Sequence, residues 1–185
     1  MFELSLNILD LVQNSITAGA TLVTIEITID HERDCLVITI ADDGCGMDEA
    51  LLMRVTSPFA TTRTTRKVGL GIPMFKQCAE MCSGSFIIES EKGIGTKLTA
   101  TFVASHVDLP PMGDIPGTMQ ALVLGAPDTP DFVLRYTVDG NEFAFDTREV
   151  REALGGLSLA EPDILAWIKD AIEGGMAEAE QQTGA

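Results

Sequence analysis

Positive charge is scarce in this chain. Twelve Lys and Arg stand against 28 Asp and Glu, a formal net charge of −16. Such a surface repels a phosphate backbone, which excludes nucleic acid as a partner. Long apolar runs are missing too: none approaches the roughly 20 residues of a membrane span, so no membrane partner is expected. Cys35, Cys45, Cys78 and Cys82 form no CxxC pair and have no histidine nearby. A zinc site is therefore not expected, and reduced thiols are the default. The opening MFELSLNILD has neither the basic lead nor the small-residue cleavage site of a signal peptide. These absences together describe a soluble, acidic, cytoplasmic protein. Its 185 residues, 45% of them hydrophobic, suffice for one sizeable domain or a domain with a small appendage.

The chain opens on an amphipathic helix that ends at Gly19, the residue type suited to the position just past a helix C-terminus. One stripe of that helix holds Glu3, Asn7, Asp10, Asn14 and Thr17; the other holds Leu4, Ile8, Leu11, Val12 and Ser15 and reads as a core face. Taken alone, the first stripe is an ordinary water-facing surface. Two strands follow. In the first, Val23, Ile25, Ile27 and Ile29 alternate with Thr24, Glu26 and Thr28; the second is the β-branched run CLVITIA. Helices are expected over 48–55 and 72–82, then a hairpin of SGSFIIES and TKLTATFV around EKGIG. The pattern predicts an α+β fold, a two-layer sandwich of helices on a mixed, mainly antiparallel sheet.

Near SHVDLPPMGDIPG the texture changes, which places a boundary at residue 105. The first part, 1–105, carries 8 basic and 13 acidic groups, net −5; the second, 106–185, carries 4 and 15, net −11. The second part reads as a small α/β appendage: a helix over 115–124, the hairpin FVLRYTV–DGN–EFAFD, and helices over 147–154 and 161–172. Its tail, GGMAEAEQQTGA, is expected to be frayed or disordered. The acidic segment is expected to bind a partner rather than to build the main site.

Two glycine clusters carry the chemistry. In ADDGCGM, a carboxylate at the end of a strand precedes Gly44 and Gly46, which let the backbone turn tightly. By itself this is a common structural turn. In KVGLGIPMF, Gly69 and Gly71 stand directly before a helix, whose leading N–H groups favour an anion. Neither a GxGxxG nor a P-loop pattern applies, since position 74 is Met and no GK[ST] occurs. Between Ala50 and Ala79 there is no acidic residue, but there are Arg54, Arg63, Arg66, Lys67 and Lys76 and four threonines at 61, 62, 64 and 65. Arginine forks and hydroxyls both suit phosphate oxygens.

In this order and spacing, the four pieces resemble the ATP-binding domain of DNA gyrase B, HSP90, histidine kinases and MutL, the GHKL or Bergerat fold. DLVQNSITAGAT is similar to the family's N box, especially the MutL version; DDGCGM to the first glycine box; SPFATTR and VGLGI to the F box and second glycine box of histidine kinases; KGIGTKLTATF to the closing segment. The resemblance covers residues 3–103. It implies ATP and Mg²⁺ as ligands. Asn14 matches the residue that ligates Mg²⁺ and Asp42 the acceptor of the adenine amino group. Gly44 and Gly46 let the turn pass the base, Gly69 and Gly71 offer amides to phosphates, and Thr96 stands near the adenine. Arg63, Arg66 and Lys67 are placed like lid residues. Asp10 stands where the family's ATPases carry the glutamate that acts as general base, one methylene shorter.

Histidine kinases also carry a dimerising hairpin with an acceptor histidine ahead of the N box, for which a box beginning near residue 4 leaves no room. His31 and His106 read as ordinary surface residues. The expectation is therefore a stand-alone signalling module that binds ATP with Mg²⁺ and transfers phosphate to a separate protein partner, as a histidine/serine kinase-type phosphotransferase with slow intrinsic hydrolysis. The alternative is an ATP-gated regulatory subunit with little chemistry. A homodimer is compatible with both.

Overall fold

The structure, a computed structural model, describes residues 3–56 and 71–181. In chain order the elements are α1 (Leu4–Thr17), β1 (Leu22–Asp30), β2 (Cys35–Asp42), α2 (Glu49–Val55), α3 (Gly71–Met81), β3 (Ser85–Glu91), β4 (Gly95–Val103), α4 (Ile115–Gly125), β5 (Asp131–Val138), β6 (Asn141–Asp146), α5 (Thr147–Leu154) and α6 (Pro162–Gln181). The strands form one sheet in the order β3-β4-β2-β1-β5-β6. Every pairing is antiparallel except β1 with β5. The expected mixed, mainly antiparallel α+β sandwich is what the chain forms.

The alternation read in β1 decides its two faces. Val23, Ile25 and Ile27 are buried, while Thr24 and Glu26 are half-buried and Thr28 is exposed on the other side. Across the sheet, Ile25 faces Ile40 of β2 and Leu134 of β5, both buried, so one apolar row runs through three strands. Phe75 of α3 closes the core at the opposite wing, 5.7 Å from the Phe102 ring and edge-on to Phe86 at 6.5 Å. This aromatic contact seats α3 on β3 and β4.

The residues after Ser105 join that same core. β5 pairs with β1 over Leu22–Ile29, and Phe132, Leu134, Tyr136 and Val138 are buried within the core that holds Leu4, Ile8 and Val12 of α1. The change of texture at residue 105 is thus a change of motif within one sheet. A second link is at the start of α1, whose N-cap residue, Glu3, gives no side-chain cap. Instead Leu4 N–H donates to the Pro111 carbonyl at 2.9 Å and Ser5 N–H to the Met112 carbonyl at 2.8 Å. The proline-rich stretch satisfies donors that every helix start leaves open.

The tail needs a correction. Residues 174–181, expected to fray, continue α6 to Gln181. Gly174 and Gly175 lie inside that helix, and a Cβ at Gly175 would fall 2.0 Å from the Phe143 ring. Glycine is what lets α6 lie close on β6. Tyr136 then donates to Glu180 Oε1 at 2.7 Å. Burial, together with the Glu180 carboxylate, pushes that phenol well above its ordinary range. No helix among the described residues is long and apolar enough to cross a membrane.

A chain ending at Ser105 would leave the β5 side of β1 unpaired and the first N–H groups of α1 without their acceptors. Such a truncation is expected to lose the cooperative thermal transition of the full chain, read by circular dichroism; a sharp transition near the full-length midpoint would show that 1–105 is self-sufficient.

Candidate functional site

A cavity of about 680 Å³ opens beside the end of β2, within the size range of small-molecule sites. Its walls come from α1 (Leu11, Asn14, Ser15), β2 and β4 (Ile40, Asp42, Thr96), the turn after β2 (Cys45, Gly46), α2 (Arg54, Val55) and the start of α3 (Ile72). Mostly apolar walls with a few convergent polar groups are the usual make-up of a ligand pocket.

Asp42 is the most constrained of those groups. Its Oδ2 accepts from Ser15 Oγ at 2.6 Å, and its Oδ1 accepts from the Gly44 amide at 2.9 Å. Ser15 is 4% exposed. It sits on the stripe read as core, and burial there is as expected, but its function was not read. A hydroxyl among buried leucines needs a partner, and the only signal for one was the carboxylate at the end of β2. Its neighbour Asp43 points away from the cavity and takes N–H groups from Thr21 at 2.7 Å and Leu22 at 2.9 Å, with the Thr21 hydroxyl as well. Burial opposes ionisation of Asp43, but the Thr21 and Leu22 donors outweigh it and hold the carboxyl below its ordinary value. One aspartate thus anchors the turn to β1, and the other faces the cavity.

The turn itself is held on both sides. Cys45 N–H donates to the Ala18 carbonyl at 2.9 Å, and the Cys45 carbonyl accepts from Gly93 at 2.8 Å. Gly46 has φ +59, and a Cβ there would lie 1.9 Å from the Glu91 carbonyl oxygen, so only glycine fits. At Gly44 a Cβ would come within 2.9 Å of the Ala18 Cβ.

Asn14 faces the cavity half-buried, and its side-chain amide has no hydrogen-bond partner among the described residues. Asp10, one turn earlier, is exposed, and a Cβ at Gly71 would stand 3.5 Å from its own Cβ. The N-terminus of α3 therefore meets the stripe Asp10–Asn14. Thr96 pairs with Asp42 in register and bonds Ser90 Oγ at 2.9 Å. The structure thus brings together Asn14, Asp42, Gly44, Gly46 and Thr96, with Asp10 and Gly71 alongside. Arg63, Arg66, Lys67 and Gly69 lie outside the described residues. Ser15, which lies within the N box but on its core stripe, and Ser90, which lies in no motif, also shape the site.

Known proteins give this arrangement a context. Residues 3–106 match the family described as histidine kinase-, DNA gyrase B-, and HSP90-like ATPase. A protein of Shewanella frigidimarina described as a sensor is 33% identical over 103 residues, covering 55% of this chain and 16% of its own. The sensor histidine kinase CitA of Klebsiella pneumoniae is 33% identical over 75 residues, 40% of this chain and 14% of its own. The chain thus spans about a sixth of the length of these curated relatives. A solved MutL ATPase domain of Aquifex aeolicus, complexed with ADP, aligns at 16% identity and a TM-score of 0.48, over 80% of this chain and 67% of that one. With its match running through every element that walls the cavity, this chain belongs to the family of histidine kinase-, DNA gyrase B-, and HSP90-like ATPases.

Proposed function

We propose that the cavity binds ATP together with Mg²⁺ and that the chain transfers phosphate to a histidine or serine on a separate protein partner. The observation that carries this reading is the double-held Asp42 beside Thr96 in the β2–β4 ladder, at a cavity that also receives Asn14 and the start of α3. Asp42 meets the amino group of the adenine, which guanine does not offer at that place. Gly44 and Gly46 bring the turn alongside the base. The amides at Gly69 and Gly71, with Arg63, Arg66 and Lys67, take the phosphates. Asn14 fits the cation: its side-chain oxygen is a hard ligand with no hydrogen-bond partner among the described residues, and Mg²⁺ is usually held by one or two protein oxygens plus phosphates. When bound, Mg²⁺ neutralises phosphate charge.

The acceptor lies on another polypeptide in this reading. His31 stands in the turn after β1, with its Nδ1 2.8 Å from Asp139 Oδ2, and His106 follows β4 at the same end. Asp42 is seven residues along β2 from that turn, roughly 23 Å away at about 3.3 Å per residue. Neither histidine reaches the cavity. Relatives named as sensor kinases favour phosphotransfer.

One observation favours the second reading, an ATP-gated regulatory subunit. The segment 106–185, which we assign to partner binding, caps the very helix that carries Asp10 and Asn14. A partner pulling on it would act on α1 directly. Incubation with γ-labelled ATP and proteins encoded nearby separates the two: label on a partner is the expected result, and nucleotide-dependent complex formation with no label supports gating instead.

Replacing Asp42 by Asn should weaken ATP binding by about 1–3 kcal/mol, because an amide N–H then faces the adenine amino group with Ser15 or Gly44 left unpaired. Calorimetry measures it, and equal affinity in the variant removes the adenine assignment. Asp10 bears on turnover. A general base must come within about 2.6–3.2 Å of its proton, and a carboxylate one methylene short costs on the order of 100-fold. Basal hydrolysis should therefore be slow, faster in Asp10→Glu and no faster in Asp10→Asn at saturating Mg²⁺–ATP. Brisk wild-type hydrolysis that collapses in Asp10→Glu would reverse the argument.

A further inference from the structure

Ser90, on β3, belongs to none of the motifs, yet its hydroxyl sits at the junction of everything that shapes the base end of the cavity. Its Oγ accepts from the Met47 amide at 2.8 Å, lies 2.9 Å from the Gly95 carbonyl oxygen and 2.9 Å from Thr96 Oγ1. A hydroxyl has one proton and two lone pairs. The Gly95 carbonyl can only accept, so the Ser90 proton goes there. The Met47 N–H fills one lone pair, and the other is left for the Thr96 proton. The polarity of Thr96 follows: its oxygen enters the cavity with lone pairs and no proton. Directly opposite in the ladder stands Asp42, a carboxylate that already takes protons from Ser15 and Gly44.

We infer that Ser90 is a positioning residue that sets base selectivity by consuming the Thr96 proton, so that the base end of the cavity presents acceptors alone. This inference rests on the adenine-site reading above. Two acceptors side by side match an exocyclic amino group, which carries two protons, or a water that donates to both. They oppose a carbonyl oxygen at the same place, because three acceptors would then converge with no proton among them. Removing the Ser90 hydroxyl frees the Thr96 proton to turn into the cavity and to meet such a carbonyl.

The test compares ATP with ITP, whose hypoxanthine carries a carbonyl where adenine carries its amino group. Affinities for both are measured by calorimetry on the full chain as wild type, Ser90→Ala and Ser90→Thr. Wild type should prefer ATP, Ser90→Ala should lower the ATP:ITP ratio about tenfold, the scale of one hydrogen bond, and Ser90→Thr should keep the wild-type ratio. A purely structural role would weaken both nucleotides alike and leave the ratio where it was, which overturns the inference. If Ser90→Ala fails to fold, Ser90→Cys, similar in size with a weak acceptor, is read by the same ratio. A wild type that binds neither nucleotide removes the adenine-site reading and this inference with it; an unmoved ratio in a wild type that prefers ATP removes this inference alone.

Discussion

The hydrogen bonds that fix the Asp42 carboxylate hold the site together. A carboxylate at the end of a strand could swing into solvent, but Ser15 and the Gly44 amide each take one of its oxygens. That contact joins α1 to β2, and the tight turn that follows depends on it. Gly44 donates to Asp42, and two residues on Gly46 folds back under the Glu91 carbonyl, where no other residue fits. Ser90 then fastens the far side of the turn to the hairpin of β3 and β4. The base end of the cavity is preorganised because Asp42 and Thr96 are each held by other polar groups.

Helix α1 is the member through which that order reaches the rest of the chain. Its C-terminal half carries Asn14 and Ser15, while its first two amides are satisfied by carbonyls of Pro111 and Met112. Leu4, Ile8, Leu11 and Val12 are buried in the core shared with β5 and α6. A helix packed in this way moves as a unit or not at all. The segments after residue 105 therefore support the cavity-lining helix even though they contribute no motif to it.

Charge is divided along the same lines. The strongly acidic part of the chain lies beyond the family match; of the run without carboxylates, Arg54, Val55 and Ile72 line the cavity. Turn carboxylates such as Asp139 follow local needs. The His31 amide and ring hold Asp139 below the ordinary carboxylate value and tie the turn after β1 to the turn between β5 and β6.

Much of this was legible in the residues. The period-2 rows of β1 and β2, the helix at 147–154 and the glycine turn between Asp42 and Met47 depend on local alternation and on backbone angles that few residues adopt, so neighbours in sequence were enough to read them. The order of the motifs led to the family for the same reason. What the sequence could not determine was anything resting on contacts between distant segments. Ser15 looked like core because burial and function coincide in it, and only its position opposite Asp42, 27 residues away, separates the two. Ser90 was unremarkable until folding set it between Met47 and Thr96. Gly174 and Gly175 read as a fraying tail because their cost in a helix is local, whereas the gain, a close seat for Phe143, is tertiary. The boundary at residue 105 was a change of composition, and composition is blind to the parallel pairing of β5 with β1. Local geometry, then, was determined by the sequence itself; which polar groups meet, and which segments share one core, was decided only by the tertiary structure, because hydrogen bonds and apolar packing act across distances the chain does not encode in any one stretch.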